Sequence, residues 1–443
     1  MKRNIGATVW AVFSPLRISN FRTYIIGQAI SQIGTWLQLT AQGWVVWQLS
    51  KSTAALGLVA MLGSLPILIL GPWAGAWADR LERRKLLIAT QIGAMLLAFI
   101  LAVLTQLGIV QLWHVYLLSA ILGVVAALDM PAQQAFIGDL SGMVEVRKAV
   151  NINAMILQIG RILGPVLAGL VIGAWGAPLA FWLNGLSFAA VIISLIIVTT
   201  NQVRATHSMN LLGEIQEGLQ FVRQQPRIQD LITFVILITF FGFPILNLLP
   251  AVADAVLKGN ARTLSWLMAA SGAGALVGTL VIVPLAQSLK RAGVVVGSAV
   301  GWMGLWFVVF SIATWLPFSL LSLFLVSMAA PVVFTTVTGL IQMLAPPNMR
   351  ARLLSLMVMI SFGMQPFSAL LMGYGATAFG TPTAIFVSGS LLWASALLML
   401  MLRPQLRQWE LSPQAAEITA ATTNKNNEAG LFAPSQAALD GEY

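Results

Sequence analysis

The sequence predicts an all-α membrane protein of twelve transmembrane helices in two pseudo-symmetric six-helix bundles. Three observations predict it. Hydrophobic residues make up 58% of the 443 and charged residues 9%, with a mean hydropathy of +0.87. A soluble domain carries roughly 25% charge, so lipid must solvate part of this surface. The charge-free stretches are long enough to cross a bilayer core about 30 Å thick, which takes roughly 20 residues at 1.5 Å each. The second half also repeats features of the first at a near-constant offset.

The spans follow in order. Residues 23–50 and 52–78 form the first two, and the first is expected to stay as a span rather than be cleaved as a signal peptide. Residues 86–128 hold two, broken near Gly108 and Gln111. Residues 149–203 hold two more, interrupted only by Arg161 and split at Gly176-Ala177-Pro178. Residues 231–253 and 263–289 give the seventh and eighth. Residues 292–349 split near Trp315-Leu316-Pro317 and residues 353–402 at Gly380-Thr381-Pro382, which completes twelve. Each helix satisfies its own backbone in lipid, and the alternating ten-residue segments of a barrel are absent.

Twenty of the 24 Lys and Arg then fall on the side of the N-terminus. Lys51, Lys258 and Arg262 fall opposite, and Arg161 lies within a span. This positive-inside pattern predicts a multi-pass protein of the cell membrane with both termini cytoplasmic. It also accounts for the net charge of +10 without nucleic acid. With no cysteine and two histidines, thiolate and His-rich metal sites are excluded, and neither cofactor nor metal is expected.

The organisation read from this is an N-terminal bundle over 1–200, a linker with an interfacial helix over 201–230, a C-terminal bundle over 231–402 and a polar, disordered cytoplasmic tail over 403–443. In the linker, Leu211, Ile215, Leu219 and Val222 share one helical face. Gly169, Gly176, Pro178, Ala180 and Gly185 match Gly373, Gly380, Pro382, Ala384 and Gly389, each pair 204 residues apart. A parallel repeat of six spans places a substrate site between the halves near mid-membrane.

Between the second and third spans the chain reads Gly71-Pro72-Trp73-Ala74-Gly75-Ala76-Trp77-Ala78-Asp79-Arg80-Leu81-Glu82-Arg83-Arg84-Lys85. This resembles the cytoplasmic signature of the major facilitator superfamily at Gly75, Asp79, Arg80, Arg84 and Lys85, with Glu82 in place of a glycine. The resemblance implies a conformational latch, with Gly75 allowing close packing and Asp79 near a basic group or helix N-terminus. The fifth span's Gly160, Gly164 and Pro165 resemble the packing motif of the superfamily's antiporters. Asn20-Phe21-Arg22, Asp129-Met130-Pro131-Ala132 and Arg350-Ala351-Arg352-Leu353-Leu354-Ser355 are similar to the enterobactin-exporter-like branch. That branch implies proton-driven export of siderophores or drug-like amphipaths by alternating access, with the first, fourth, seventh and tenth spans lining the cavity.

An ionisable side chain inside a span is a functional candidate. Asp129 and Arg161 sit at depths of about 14 and 18 Å from the same side. Their similar depth predicts a pair, direct or through water, that couples protons to transport or holds packing. Shifted by 204, Arg161 falls on Gln365 and Asp129 on Val333. Gln28, Gln32, Thr35 and Gln42 share a face of the first span and, with Asn247, Thr335 and Gln365, are expected at the substrate cavity. Such a lining suits a bulky amphipathic small molecule.

No GxxxxGK[ST], HExxH or GxSxG occurs, so neither an ATP-driven pump nor an enzyme is indicated. The expected partners are a small-molecule substrate, protons and the bilayer, with the chain acting as a monomer. Proton-coupled uptake, lipid flipping and a non-transporting receptor stay open at this stage.

Overall fold

The computed structural model describes residues 13–199, 211–287, 289 and 291–408. The first span is Ser19–Ser50, the second Thr53–Arg80 and the third Arg83–Gln106. The fourth and fifth form one run, Leu112–Trp175, kinked at Gly142 into Leu112–Gly142 and Lys148–Trp175. The sixth is Ala177–Ile197 and the linker helix Leu211–Gln224. The seventh to tenth are Pro226–Val256, Ala261–Ala286, Ala292–Ser311 and Leu316–Leu344. The eleventh is in two pieces, Pro347–Gly363 and Gln365–Phe379, and the twelfth is Thr381–Leu402.

Eleven helices among the described residues are long and apolar enough to cross a membrane. The Ser19–Ser50 helix is the twelfth. Its 32 residues reach far enough, but Gln28, Gln32, Gln38, Gln42 and Gln48 dilute its apolar character. Those glutamines are affordable because protein, not lipid, covers much of that helix: Gln28, Gln38 and Gln42 are buried.

The apolar core divides at the linker. One cluster runs from Ile228 to Leu406 through the C-terminal half, and three smaller ones fill the N-terminal half, one of them reaching across to Ala251. The duplication is visible in the backbone. Gly176 and Gly380 both take positive φ, 84° and 89°, where each half turns into its last span. Gly169 packs on Ser265 of the eighth span, and Gly373 packs on Thr53 and Gly57 of the second. These two contacts are the same one under exchange of the halves. Lys51 and Lys258, 207 residues apart, both sit at φ 50° after the first span of their half.

Loops add local ties. His114, expected as an interfacial belt residue, accepts the Gln111 N–H through Nδ1 at 3.0 Å and caps the fourth span. Between the fourth and fifth spans, Glu145 accepts from the Ser14 hydroxyl at 2.7 Å and from Lys148 at 3.1 Å. These donors hold its carboxyl below the usual carboxylate range. On the linker helix Leu219 is exposed, while Phe221 and Val222 pack against the C-terminal core. Of the expected apolar face, Val222 thus packs inward and Leu219 does not, the Leu211 and Ile215 side chains lie outside the described residues, and Glu217 pairs with Arg352. The expected disordered tail lies outside the described residues beyond 408; Pro404–Gln408 is helical and buries Leu406.

Arg83 Nη1 donates to both oxygens of Asp139 at 2.8 and 2.9 Å, and both side chains are nearly buried. Removing one partner of such a pair leaves the other charge uncompensated. Arg83→Gln is expected to cost about 3 kcal/mol, read as a lower unfolding temperature in detergent. The same protein should retain its ligand affinity, because the pair lies away from the central cavity.

Candidate functional site

A cavity of about 590 Å³ lies between the halves and takes residues from both. The first span contributes Trp36, Thr40 and Gln42, and the seventh contributes Phe243 and Asn247. The backbone there is irregular for a reason. The seventh span passes from a π-helical turn, Ile238–Gly242, into a 3-10 segment, Phe243–Leu248. Pro244 and Pro250 lack N–H groups, so the regular ladder cannot continue. Irregular backbone is tolerated at membrane depth where it borders a cavity. The eleventh span breaks at Met364, so Gln365 opens its second piece, next to Pro366 and on the cavity wall.

Arg161 also lines the cavity, so the 204-residue register places a cation and an amide on one cavity from equivalent spans. Its guanidinium stands over the Trp36 ring, 5.7 Å from the centroid. Trp36 is seated there by the fifth span. A Cβ on Gly164 would lie 2.4 Å from Trp36 Cβ, and one on Gly160 would meet the Gln32 backbone at 3.0 Å. Gly160, Gly164 and Pro165 therefore let the fifth span lie directly on the first, as the packing motif implied.

The direct pairing of Asp129 with Arg161 does not form. Asp129 Oδ1 accepts from Thr90 Oγ1 at 2.6 Å and Gln91 Nε2 at 3.0 Å, both on the third span. Depth along a helix follows from counting residues, but direction turns 100° with each one. Asp129 faces the third span, and Arg161 faces Trp36 and the cavity.

Of the expected cavity residues, Gln42, Asn247 and Gln365 line it and four do not. Gln28 is buried on Tyr24, donating to its hydroxyl at 2.9 Å. Gln32 packs against the fifth span at Gly160, and Thr35 lies off the cavity wall. Thr335 is exposed. The cavity face of the first span is Trp36, Leu39, Thr40 and Gly43, one residue round from the face of Gln28, Thr35 and Gln42. Gln42 reaches both and donates to Ser119 Oγ at 2.8 Å. Trp36, Thr40, Ser64, Ser271 and Ser368 also line the cavity without having been expected. Only the spacing of Trp36 and Thr40 with Gly43 could have signalled part of this set.

In this state the loop after the second span is tied within its own half. Arg84 donates to the carbonyls of Leu195 and Ile196, each at 2.5 Å, and so caps the end of the sixth span. Lys85 pairs with Glu82 at 2.6 Å, and Arg80 is exposed. The Asp79 side chain lies outside the described residues. Gly75 does not serve close packing here, since a Cβ on it would meet nothing within 4 Å.

The two ends of the bundle pair differ. At the end holding Lys51, the halves are zipped together. Thr53 Oγ1 donates to Gly373 O at 2.9 Å, and Thr377 Oγ1 accepts from the Ala54 N–H at 3.0 Å. Asp254 of the seventh span accepts from Lys51 Nζ and Trp47 Nε1 of the first, both at 2.7 Å. At the end holding the linker, Gly71, Gly75 and Gly339 meet nothing within 4 Å.

The description "transmembrane secretion effector" belongs to the family model that matches residues 10–429. The staphyloferrin A transporter of Staphylococcus aureus is 25% identical over 264 residues, 59% of this chain and 66% of that protein, just under two-thirds of its length. The multidrug efflux pump Tap of Mycolicibacterium fortuitum is 24% identical over 390 residues, 86% of this chain and 94% of that protein. Among solved structures, the nucleoside transporter NupG aligns with a TM-score of 0.70 at 14% identity, covering 87% of this chain and 99% of that one. At that identity the likeness speaks to fold alone.

Proposed function

This chain belongs to the transmembrane secretion effector family of major-facilitator transporters, and on that premise we propose that it is a proton-coupled exporter. It carries a siderophore or drug-like amphipathic small molecule out of the cell by alternating access. The linker end faces the cytoplasm, and the substrate enters the cavity between the halves from that side. The observation that carries this reading is the asymmetry of the two ends: zipped at Thr53, Lys51 and Gly373, unpacked at Gly71, Gly75 and Gly339. A closed outer end over a cavity with polar groups from both halves is one of the two states the cycle requires. The efflux pump Tap among the relatives supports the direction and, with the staphyloferrin A transporter, the substrate class.

Asp129 carries the coupling proton in this scheme. Protonation would weaken its acceptance from Thr90 and Gln91, so its effect on the cavity passes through the packing of the third and fourth spans. In the opposite state, Gly71 and Gly75 meet the other half.

Everted membrane vesicles energised by respiration test the proposal. Accumulation of an amphipathic dye that collapses with a protonophore is expected. Uptake in the reverse sense, by right-side-out vesicles only, would replace export with symport. Asp129→Asn is expected to keep ligand affinity and lose the dependence of transport on the proton gradient. An unchanged pH profile in that variant would remove Asp129 from the coupling.

A further inference from the structure

We infer that the ligand of this cavity is an organic anion, a carboxylate or equivalent acid on an apolar or aromatic body, bound at Arg161 against Trp36. This rests on the export reading for the route the ligand takes, but its argument is the charge inventory of the cavity.

Arg161 has no carboxylate partner and no hydrogen-bond acceptor among the described residues. Asp129, the acid that the sequence offered as its partner, is engaged by Thr90 and Gln91. No Asp or Glu lines the cavity, and Arg161 is its one charged residue. The rest of the polar lining is neutral: Thr40, Gln42, Ser119, Asn247, Ser271 and Gln365 are among it. A cation at membrane depth is costly unless something answers it. The Trp36 face answers part of that cost and leaves the N–H edge of the guanidinium free for a planar oxyanion. Charge-assisted, often bidentate bonds to an acid would complete it. An organic cation would meet like charge and no counter-ion, so the same cavity rejects it.

The geometry also places the anion at the moving interface. Gly272 of the eighth span packs against the Arg161 carbonyl and Ile162. The residue that holds the acid thus sits where the fifth and eighth spans cross between the halves. Gln365, its counterpart across the repeat, supplies a neutral donor from the opposite wall.

Two probes on one tricyclic frame test this: fluorescein, an anion at neutral pH, and a rhodamine ester, a cation. Fluorescence anisotropy is measured with the protein in nanodiscs of neutral lipid against empty nanodiscs. Fluorescein is expected to bind the wild-type protein and weaken with added salt, and the rhodamine to bind no better than to empty discs. Arg161→Gln should weaken fluorescein roughly ten- to a hundredfold, and Arg161→Lys should keep part of the affinity. Binding of the rhodamine as tight as fluorescein overturns the inference, as does fluorescein binding unaltered in Arg161→Gln or absent in the wild type. The wild-type comparison decides even if a variant fails to fold. Fluorescein that binds through Arg161 but is moved by no gradient in proteoliposomes sinks the export reading and leaves this one standing.

Discussion

Gly164→Ala is expected to lose about 3 kcal/mol of stability, among the largest effects of any single methyl group in this protein. The added Cβ would lie 2.4 Å from Trp36 Cβ and 2.9 Å from both Ile33 O and Leu37 N. Two of those three atoms are backbone and the third is the root of a side chain, so none can swing aside. The fifth span must lift off the first. That movement also takes Trp36 from beneath Arg161, so ligand affinity falls with stability. Gly375→Ala is the matched control. It lies in the eleventh span with nothing within 4 Å of a Cβ, and alanine there should be neutral or stabilise by up to about 1 kcal/mol. Thermal unfolding in detergent reads both. If Gly164→Ala unfolds with Gly375→Ala, the close crossing of the first and fifth spans is not holding the bundle.

The sequence carries the fold and part of the site, and particular residues show where the division falls. Spans are legible because charge is costly in lipid: removing Arg and Lys from the count leaves the helices. The repeat is legible because Gly176 and Gly380 need a backbone that side chains rarely adopt. It also located Gln365 on the cavity from Arg161 alone. Azimuth was not legible. The face of Gln28 and Thr35 lies one residue, or about 100°, from the cavity face of Trp36 and Thr40, and polar residues stand on both. Polarity marks a helix side as turned from lipid. It does not say whether the neighbour is a cavity, as for Gln42, or another helix, as for Gln38, which accepts from Asn184 at 2.8 Å. The same blindness produced the expected pair of Asp129 and Arg161. Neutral cavity residues such as Ser64 and Ser368 gave no signal, because small polar groups are common at helix contacts.

Gly57→Ala is expected to act on the equilibrium between states and not on the fold. Its Cβ would lie 2.5 Å from Ala369 O and 3.0 Å from Gly373 Cα, both backbone atoms of the eleventh span. Gly57 belongs to the N-terminal half and its neighbours to the C-terminal half. The clash therefore exists only while the Lys51 end is closed, unlike that at Gly164, which lies within one half. Overpacking of this kind costs roughly 1–3 kcal/mol, which shifts a two-state balance by about 5- to 150-fold. The chain has no cysteine, so a single Cys in place of Ala60 on the cavity wall reports access cleanly. An impermeant maleimide added at the Lys51 end should label it slowly in the parent and at least about fivefold faster with Gly57→Ala. Thr53→Val removes the hydroxyl shared with Gly373 and Thr377 and should move labelling the same way by less, since one such bond is worth about 1 kcal/mol. Unfolding temperature should hardly change in either. A loss of stability comparable with Gly164→Ala, or labelling that stays slow in a folded protein, would mean that this contact is fixed architecture and that the halves do not part at Gly57.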